Sequence, residues 1–526
     1  MRRSTMFFVA LTLATLPRIS HAQEHKHDKD ELGTVTFPVS CNAEAQRRMN
    51  TAVAMLHSFW FPEARKKFES VVEADPGCGI AHWGVALTHF GNPVAGGSTA
   101  QGQAAGWESA QKAVSTGARN ERDREYINAA ATLFRDHDKV DNRTRLLAYQ
   151  KALKTIVDKF PADTEARIFH AVTMVANAPP TDLTFAQQKE AAALLTSLYR
   201  QQPRHPGLAH YIIHAFDSPP LAQYALEAAR QYAAIAPAAP HALHMPSHTF
   251  TRLGYWDESI KTNRRSADLE PSPASKAHPM DYLVYAYLQQ GRDEAARMAI
   301  EELGGNTSGD YLAGTLGSYN AVAMPARFAL ERDDWQSARA LKVGAGPPSV
   351  LAVTHFARAL GAARSADTSS ARQEIAKLDS IAAALKAQKE SYWAHVVGAQ
   401  QLAVSAWVAH HEGRHADALR LARDAADAEE KVEKHPVTPG PLIPARELYG
   451  DILMLHGKPA DALAAYESTL KREPGRLRTL YGAAKAAAAA GEVDAARRFY
   501  GEIVKLVDAK STRPALRDAT AFLAQK

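Results

Sequence analysis

Three histidines, His210, His244 and His278, follow one another at 34-residue intervals, and two of them have a second histidine four residues on, His214 and His248. Pro203, Pro237 and Pro271 keep the same interval. A 34-residue period is the length of one helix–turn–helix unit of a stacked solenoid. Each unit of such a stack contacts its neighbours, so a residue type held at one place in successive units forms a column. The spacing therefore predicts a column of imidazoles up one wall. Ala, Leu, Glu, Arg and Gln dominate the 526 residues, with apolar positions at helical spacing and few strand signals, so the chain is expected to be all-α. At that length several domains or one extended solenoid are expected rather than one compact core.

The first 22 residues read as a secretory signal: Arg2 and Arg3, an apolar run from Phe7 to Leu16, and the small residues Ser20 and Ala22 at a cleavage site, so that the mature chain begins at Gln23. The apolar run is too short to span a bilayer, which takes about 20 residues, and no later segment is long enough either. With Arg2, Arg3 and Arg18 removed, 59 basic residues stand against 57 acidic ones, a net +2. That balance gives no reason to propose nucleic acid or an acidic membrane as partner. Export to the periplasm or beyond is the expected location. Cys41 and Cys78, the two cysteines present, are expected to pair in that oxidising setting, because each precedes the first helix of one of two adjacent units. Residues 23–40 are polar, with His25 and His27 among charges, and read as a mobile arm.

From Cys41 onward a pattern recurs of Gly or Ala on one helix, A-x3-aromatic on the next, and a closing proline. It is clearest at Gly450, Gly457, Ala462, Tyr466 and Pro474, recurs at Ala484, Gly491, Ala496 and Tyr500, and begins at Ala64, Phe68 and Pro76. This resembles the tetratricopeptide repeat family. The resemblance implies a right-handed, all-α solenoid of helix–turn–helix units, read here as one array over 41–303, which carries the histidines, and a second over 304–526. Leu56-His57-Ser58-Phe59-Trp60-Phe61 and the stretch His241–His248 look like a group of secreted bacterial proteins of that family. Gly91–Gly106 reads as a loop, and Lys434–Pro444, with four prolines, as an ordered extended connector.

In that family the first helices line the concave surface, and the second, fifth, ninth, twelfth and last places of a unit contact ligands. Starting each unit three residues after its proline puts His210, His244 and His278 at the fifth place. His214 and His248 then fall at the ninth with Tyr282, Asp217 at the twelfth, His241 at the second, and His205 at the last place of the preceding unit. All are therefore expected to face one groove. An i, i+4 pair shares one helical face, and adjacent helices lie about 8–10 Å apart. Three histidines with an aspartate make a first shell for zinc, copper or iron. The expected metal set is His210, His214, His244, His248, His278 and Asp217, with Asp217 either a ligand or an orienting group, and His205, His241, Asp281 and Tyr282 lining the groove.

Other histidines are assigned lesser roles: His57, His82, His89, His170 and His395 to core or rim, and His410, His411 and His415 to a solvated turn. Glu447 and Asp451 take inward places in a late unit. No Ser-His-Asp order, phosphate loop, dinucleotide fingerprint or HExxH occurs; in His210–His214, Tyr211 stands where a zincin needs Glu. The reading is an exported solenoid that binds a ligand, a transition metal, through a histidine cluster on its concave face. Two alternatives stay open: a metalloenzyme acting on a substrate in the groove, and a metal-free scaffold for a protein, peptide or small ligand.

Overall fold

The computed structural model describes residues 31–97, 99–304 and 319–525. The expected signal segment and residues 23–30 of the arm lie outside the described residues, as does the start of the expected second array up to 318. Every regular element among the described residues is helical, and consecutive helices from Ala43–His57 to Pro514–Ala524 pack side by side as hairpins. The repeat residues explain the packing. The Tyr466 ring lies between two helices where Gly450 and Gly482 leave room. A Cβ on either glycine would come within 2.8 or 2.6 Å of that ring, closer than real carbons approach. Prolines start helices rather than interrupt them at Pro206, Pro240 and Pro273, where the missing N–H has no bond to lose.

Two expectations need correcting. Gly91–Gly106 is not all loop, because a helix capped by Thr99 runs from Ala100 to Thr116. It passes so close to Phe134 that a Cβ on Gly106 would overlap the ring at 2.1 Å. Residues 31–40 are not part of a mobile arm. After a turn at Glu31 and Leu32 they run without helix along the array, with Leu32, Val35 and Phe37 buried; the Thr34 N–H donates to the Arg204 carbonyl at 2.9 Å, and the Phe37 ring stacks on Trp83 at 5.2 Å. Val35 and Phe37 are two residues apart, the period that puts side chains of an extended segment on one face.

The Cys41–Cys78 disulfide is present, with Cα atoms 5.4 Å apart. It fastens the start of the 43–57 helix to that of Gly79–Phe90, in the adjacent unit as expected.

The array does not stay open. Its C-terminal helices return to the middle of the chain. Trp256 Nε1 donates to the Gly475 carbonyl at 3.0 Å, the Leu477 N–H donates to Gln289 Oε1 at 3.0 Å, and Arg513 pairs with Asp293 at 2.7 Å. A Cβ on Gly254 would meet the Pro474 carbonyl at 2.7 Å, so this contact needs a glycine with its φ of +71°. The Lys434–Pro444 connector, ordered and non-helical as expected, lies along the inside of this closure.

Closing a loop of 37 residues removes about 4 kcal/mol of unfolded-state entropy in the chain-entropy model. The double substitution Cys41→Ser/Cys78→Ser is therefore expected to lower unfolding free energy by up to about 4 kcal/mol, measured by urea denaturation against the oxidised parent.

Candidate functional site

Three consecutive first helices carry the histidines: Pro206–Ala215, the pair Pro240–His244 and Pro246–Leu253, and Pro273–Gln289. Pro246 removes one N–H from the middle helix, yet Met245 stays in the helical region (φ −51°, ψ −36°), so the chain passes from one piece to the next without changing direction. His244 and His248 thus keep the same face across the proline. The wall is real, and it divides in two. The ligand nitrogens of His210, His214 and His241 lie within 4.8 Å of one another, and so do those of His244, His248 and His278. The two groups touch: the His214 and His248 ring centroids are 6.0 Å apart, and those of His241 and His244 are 5.8 Å apart.

Hydrogen bonds fix which nitrogens face inward. His210 Nδ1 donates to the His57 carbonyl at 2.6 Å. His244 Nδ1 lies 2.7 Å from Asn263 Oδ1, and Asn263 is oriented by its own amide donating to the Ser259 carbonyl. That oxygen only accepts, so His244 Nδ1 carries the proton. His248 Nδ1 donates to Asp217 Oδ2 at 2.8 Å. The Nε2 atoms of all three are left as lone pairs. His244 Nε2 and His248 Nε2 then face each other at 3.0 Å, and His210 Nε2 faces His241 Nε2 at 3.2 Å. Neither ring nitrogen of His214 nor the Nδ1 of His278 has a hydrogen-bond partner among the described residues.

The expected open groove is instead a roofed chamber. His210, His214, His244 and His248 are at most 6% exposed. A partly open cavity of about 280 Å³ fronts the wall, bordered by Phe59, the Asn92–Ala95 turn, Asn320 and the connector at Pro436 and Val437. Phe59 follows the 43–57 helix in a left-handed conformation with φ of +52°. The Phe59 and Trp60 N–H groups donate back to the Leu56 and Met55 carbonyls, the C-terminal turn where glycine is usual. A phenylalanine there puts its ring 4.4 Å from His210 and 5.4 Å from His241. The roof is built from segments far from the wall in sequence, Phe59 and the Asn92–Ala95 turn before it and Asn320 and the connector after it, which single-unit register cannot show.

The other expected site residues divide as follows. Tyr282 is in the chamber, its ring 4.8 Å from His248, and its hydroxyl donates to the Thr438 carbonyl of the connector at 3.1 Å. Asp217 is not placed among the inward nitrogens; it orients His248 from behind and pairs with Arg252 at 3.1 Å and Lys434 at 3.1 Å. His241, expected only to line the groove, completes the first triad. His205 is not in the chamber, because its Nε2 donates to Glu165 Oε1 at 2.9 Å in the fully buried group of His57, Glu165 and His205. Asp281 points away as well, held by Arg327 at 2.9 Å and Asn320 at 3.1 Å. A buried guanidinium outcompetes the chamber for that carboxylate.

Sequence reasoning missed His57, Glu165 and Asn263. His57, assigned to core or rim, is core, but with a part in the site: its carbonyl holds His210, and its ring lies between Glu165 at 2.8 Å and Tyr211 at 3.0 Å. Glu165 falls at the second place of the unit that follows Pro161, the place His241 takes two units later, so the same register would have flagged it. His415 is exposed and His410 half-buried, in keeping with a solvated turn, and with His456 their ring nitrogens lie within 4.8 Å. Glu447 is buried against Arg476 at 2.7 Å and Asp451 binds Arg478 at 2.6 Å, so both serve an ion network.

Burial, and next to it the neighbouring imidazoles, hold His210, His214, His241 and His244 well below the ordinary imidazole value. Burial takes His278 down to about 3. His248 is lowered by burial and supported in the other direction by Asp217. Burial would raise the Asp217 carboxyl, but Lys434, His248 and Arg252 hold it well below the ordinary carboxylate range. The chamber is thus lined by neutral imidazoles at neutral pH.

Two expectations follow from these contacts. The unfolded chain titrates its histidines near 6.5 and the folded chamber does so lower, so the unfolded state binds more protons in between. Stability is full above about 6.5 and falls as pH drops from there to about 3. Urea midpoints of chelator-treated protein should decline through that window. Asp281→Asn leaves the Arg327 guanidinium buried without its counter-charge and should cost about 3–5 kcal/mol in the same assay.

The tetratricopeptide repeat family model matches residues 453–509. That segment is therefore tetratricopeptide repeat, and the helix hairpins before it follow the same plan. No curated protein matches the chain. Among solved structures, a tetratricopeptide repeat protein from Parabacteroides merdae aligns over 54% of this chain and 97% of its own at 15% identity, with a TM-score of 0.29. Yeast Tom70 aligns over 91% and 95% at 9% identity, with a TM-score of 0.31. Superpositions that loose add nothing to the fold, which rests on the helix pairing. No helix among the described residues is long and apolar enough to cross a membrane.

Proposed function

We propose that this is an exported helical-repeat protein that binds a transition metal ion in its histidine chamber. One observation carries the reading. His244 and His248 both commit Nδ1 as a donor, so two Nε2 lone pairs face each other at 3.0 Å. Neutral imidazoles so placed repel unless a cation lies between or beside them. His278 supplies a third nitrogen, and the cavity supplies an open position, as in sites where a metal keeps a place for water or substrate. The Nδ1 acceptors Asn263 and Asp217 are the outer partners that metal-binding histidines ordinarily have. Imidazole donors suit zinc, copper or iron. The export reading is supported by the N-terminal signal pattern and by the disulfide, which persists in oxidising compartments.

Repeats of this family suit protein or peptide interaction, and the scaffold fits that role. A metalloenzyme is the second reading, favoured by the cavity of about 280 Å³ directly in front of the triad. A small substrate admitted there would lie against the open position.

Untagged protein, purified without chelator and dialysed against metal-free buffer, should retain metal by mass spectrometric elemental analysis. His244→Ala should lose at least tenfold in affinity for added Zn(II) or Cu(II) while keeping its helical circular dichroism. Full retention of metal by that variant would sink the ligand assignment.

A further inference from the structure

We propose that the chamber holds two metal ions rather than one, the second bound by His210, His214 and His241, and that the pair is copper. The inference rests on the metal-binding reading above and deepens it. The repeat itself suggests duplication: each of two successive units contributes an i, i+4 histidine pair, and each pair gains a third imidazole from the next unit, His241 or His278. The first triad has outer support at one ring, where the second has it at two: the His57 carbonyl fixes His210 Nδ1 and turns Nε2 inward. His214 adds an independent sign. It is 6% exposed, lines the cavity, and has neither ring nitrogen bonded. A buried polar group left unpaired is costly, and one proton shared between His241 and His210 does nothing for it. A cation within reach of all three does.

The triads are close enough to act together. Rings of different triads approach to 5.8 and 6.0 Å. With metal–nitrogen bonds of about 2 Å, two ions fit between them at the roughly 3.5–4 Å spacing of two-metal sites. The donors decide the metal class. All six are imidazole nitrogens, and the carboxylate touching them, Asp217, is already shared with Arg252 and Lys434. Two dications there would leave a large uncompensated charge. Monovalent copper halves it, and in the divalent state a small bridging anion such as hydroxide, for which the cavity has room, offsets it. Copper also leads the affinity order of the divalent series at nitrogen sites.

The test is copper stoichiometry and spin. Untagged, chelator-stripped protein is titrated with Cu(I) under reducing, anaerobic conditions, then oxidised and frozen for electron paramagnetic resonance. Two equivalents should bind tightly, and the Cu(II) signal should account for far less than the copper present, because neighbouring ions couple their spins. His241→Gln and His278→Gln should each bind one equivalent and show its full signal, with circular dichroism unchanged. A single equivalent in the parent, lost in His278→Gln and kept in His241→Gln, overturns the two-ion site and leaves the single-ion reading standing. No tight copper or zinc in the parent overturns both.

Discussion

Asp217 binds in three directions. One oxygen accepts from His248 at 2.8 Å and from Lys434 at 3.1 Å, and the other accepts from Arg252 at 3.1 Å. His248 belongs to the histidine wall, Arg252 to the same helix one turn on, and Lys434 to the connector that roofs the wall. Arg252 in turn reaches Glu433 at 2.7 Å. A buried carboxylate among two cations and an imidazole is a network in which no member is tolerable alone. It ties the position of the connector to the orientation of one inward-facing ring. The chamber and its lining are therefore coupled: to move the connector is to take Lys434 from the carboxylate that orients His248.

That enclosure changes what the imidazoles are. On an open concave face they would sit in water near their ordinary pKa and would be partly protonated in mildly acidic surroundings. Inside the chamber burial keeps them neutral, and fixed acceptors at Nδ1 select which lone pair points inward. Neutral, oriented and partly unpaired nitrogens form a site arranged for an electron-pair acceptor. The same burial makes the metal-free form acid-sensitive.

The column of histidines was legible because it depends on local rules. Helical period, the i, i+4 relation and the 34-residue unit length place His210, His214, His244, His248 and His278 on one face with no knowledge of distant chain. His205 obeyed the same register and Asp281 was named as the neighbour of Tyr282, yet both went elsewhere, because Glu165 and Arg327 hold them. Asn263 was missed for a related reason: it lies on a second helix, Trp256–Leu269, which family logic assigns to packing, yet its amide reaches across to His244. Residues 31–40 were read as solvated from their polar neighbours, although the spacing of Val35 and Phe37 fits an extended strip lying on helices.

By itself the sequence determined an all-α array of paired helices, the pairing of Cys41 with Cys78, and the alignment of imidazoles at equal heights in successive units. These follow from periodicity, which is a property of neighbours along the chain. Tertiary structure alone decided that the wall is covered, that it separates into two triads, and that the Nδ1 atoms of His210, His244 and His248 are held so that Nε2 faces inward. Those outcomes depend on contacts between residues as far apart as Asp217 and Lys434, or His57 and His210. Such contacts arise when units far apart in the chain close against the middle ones, a packing event that no local pattern encodes.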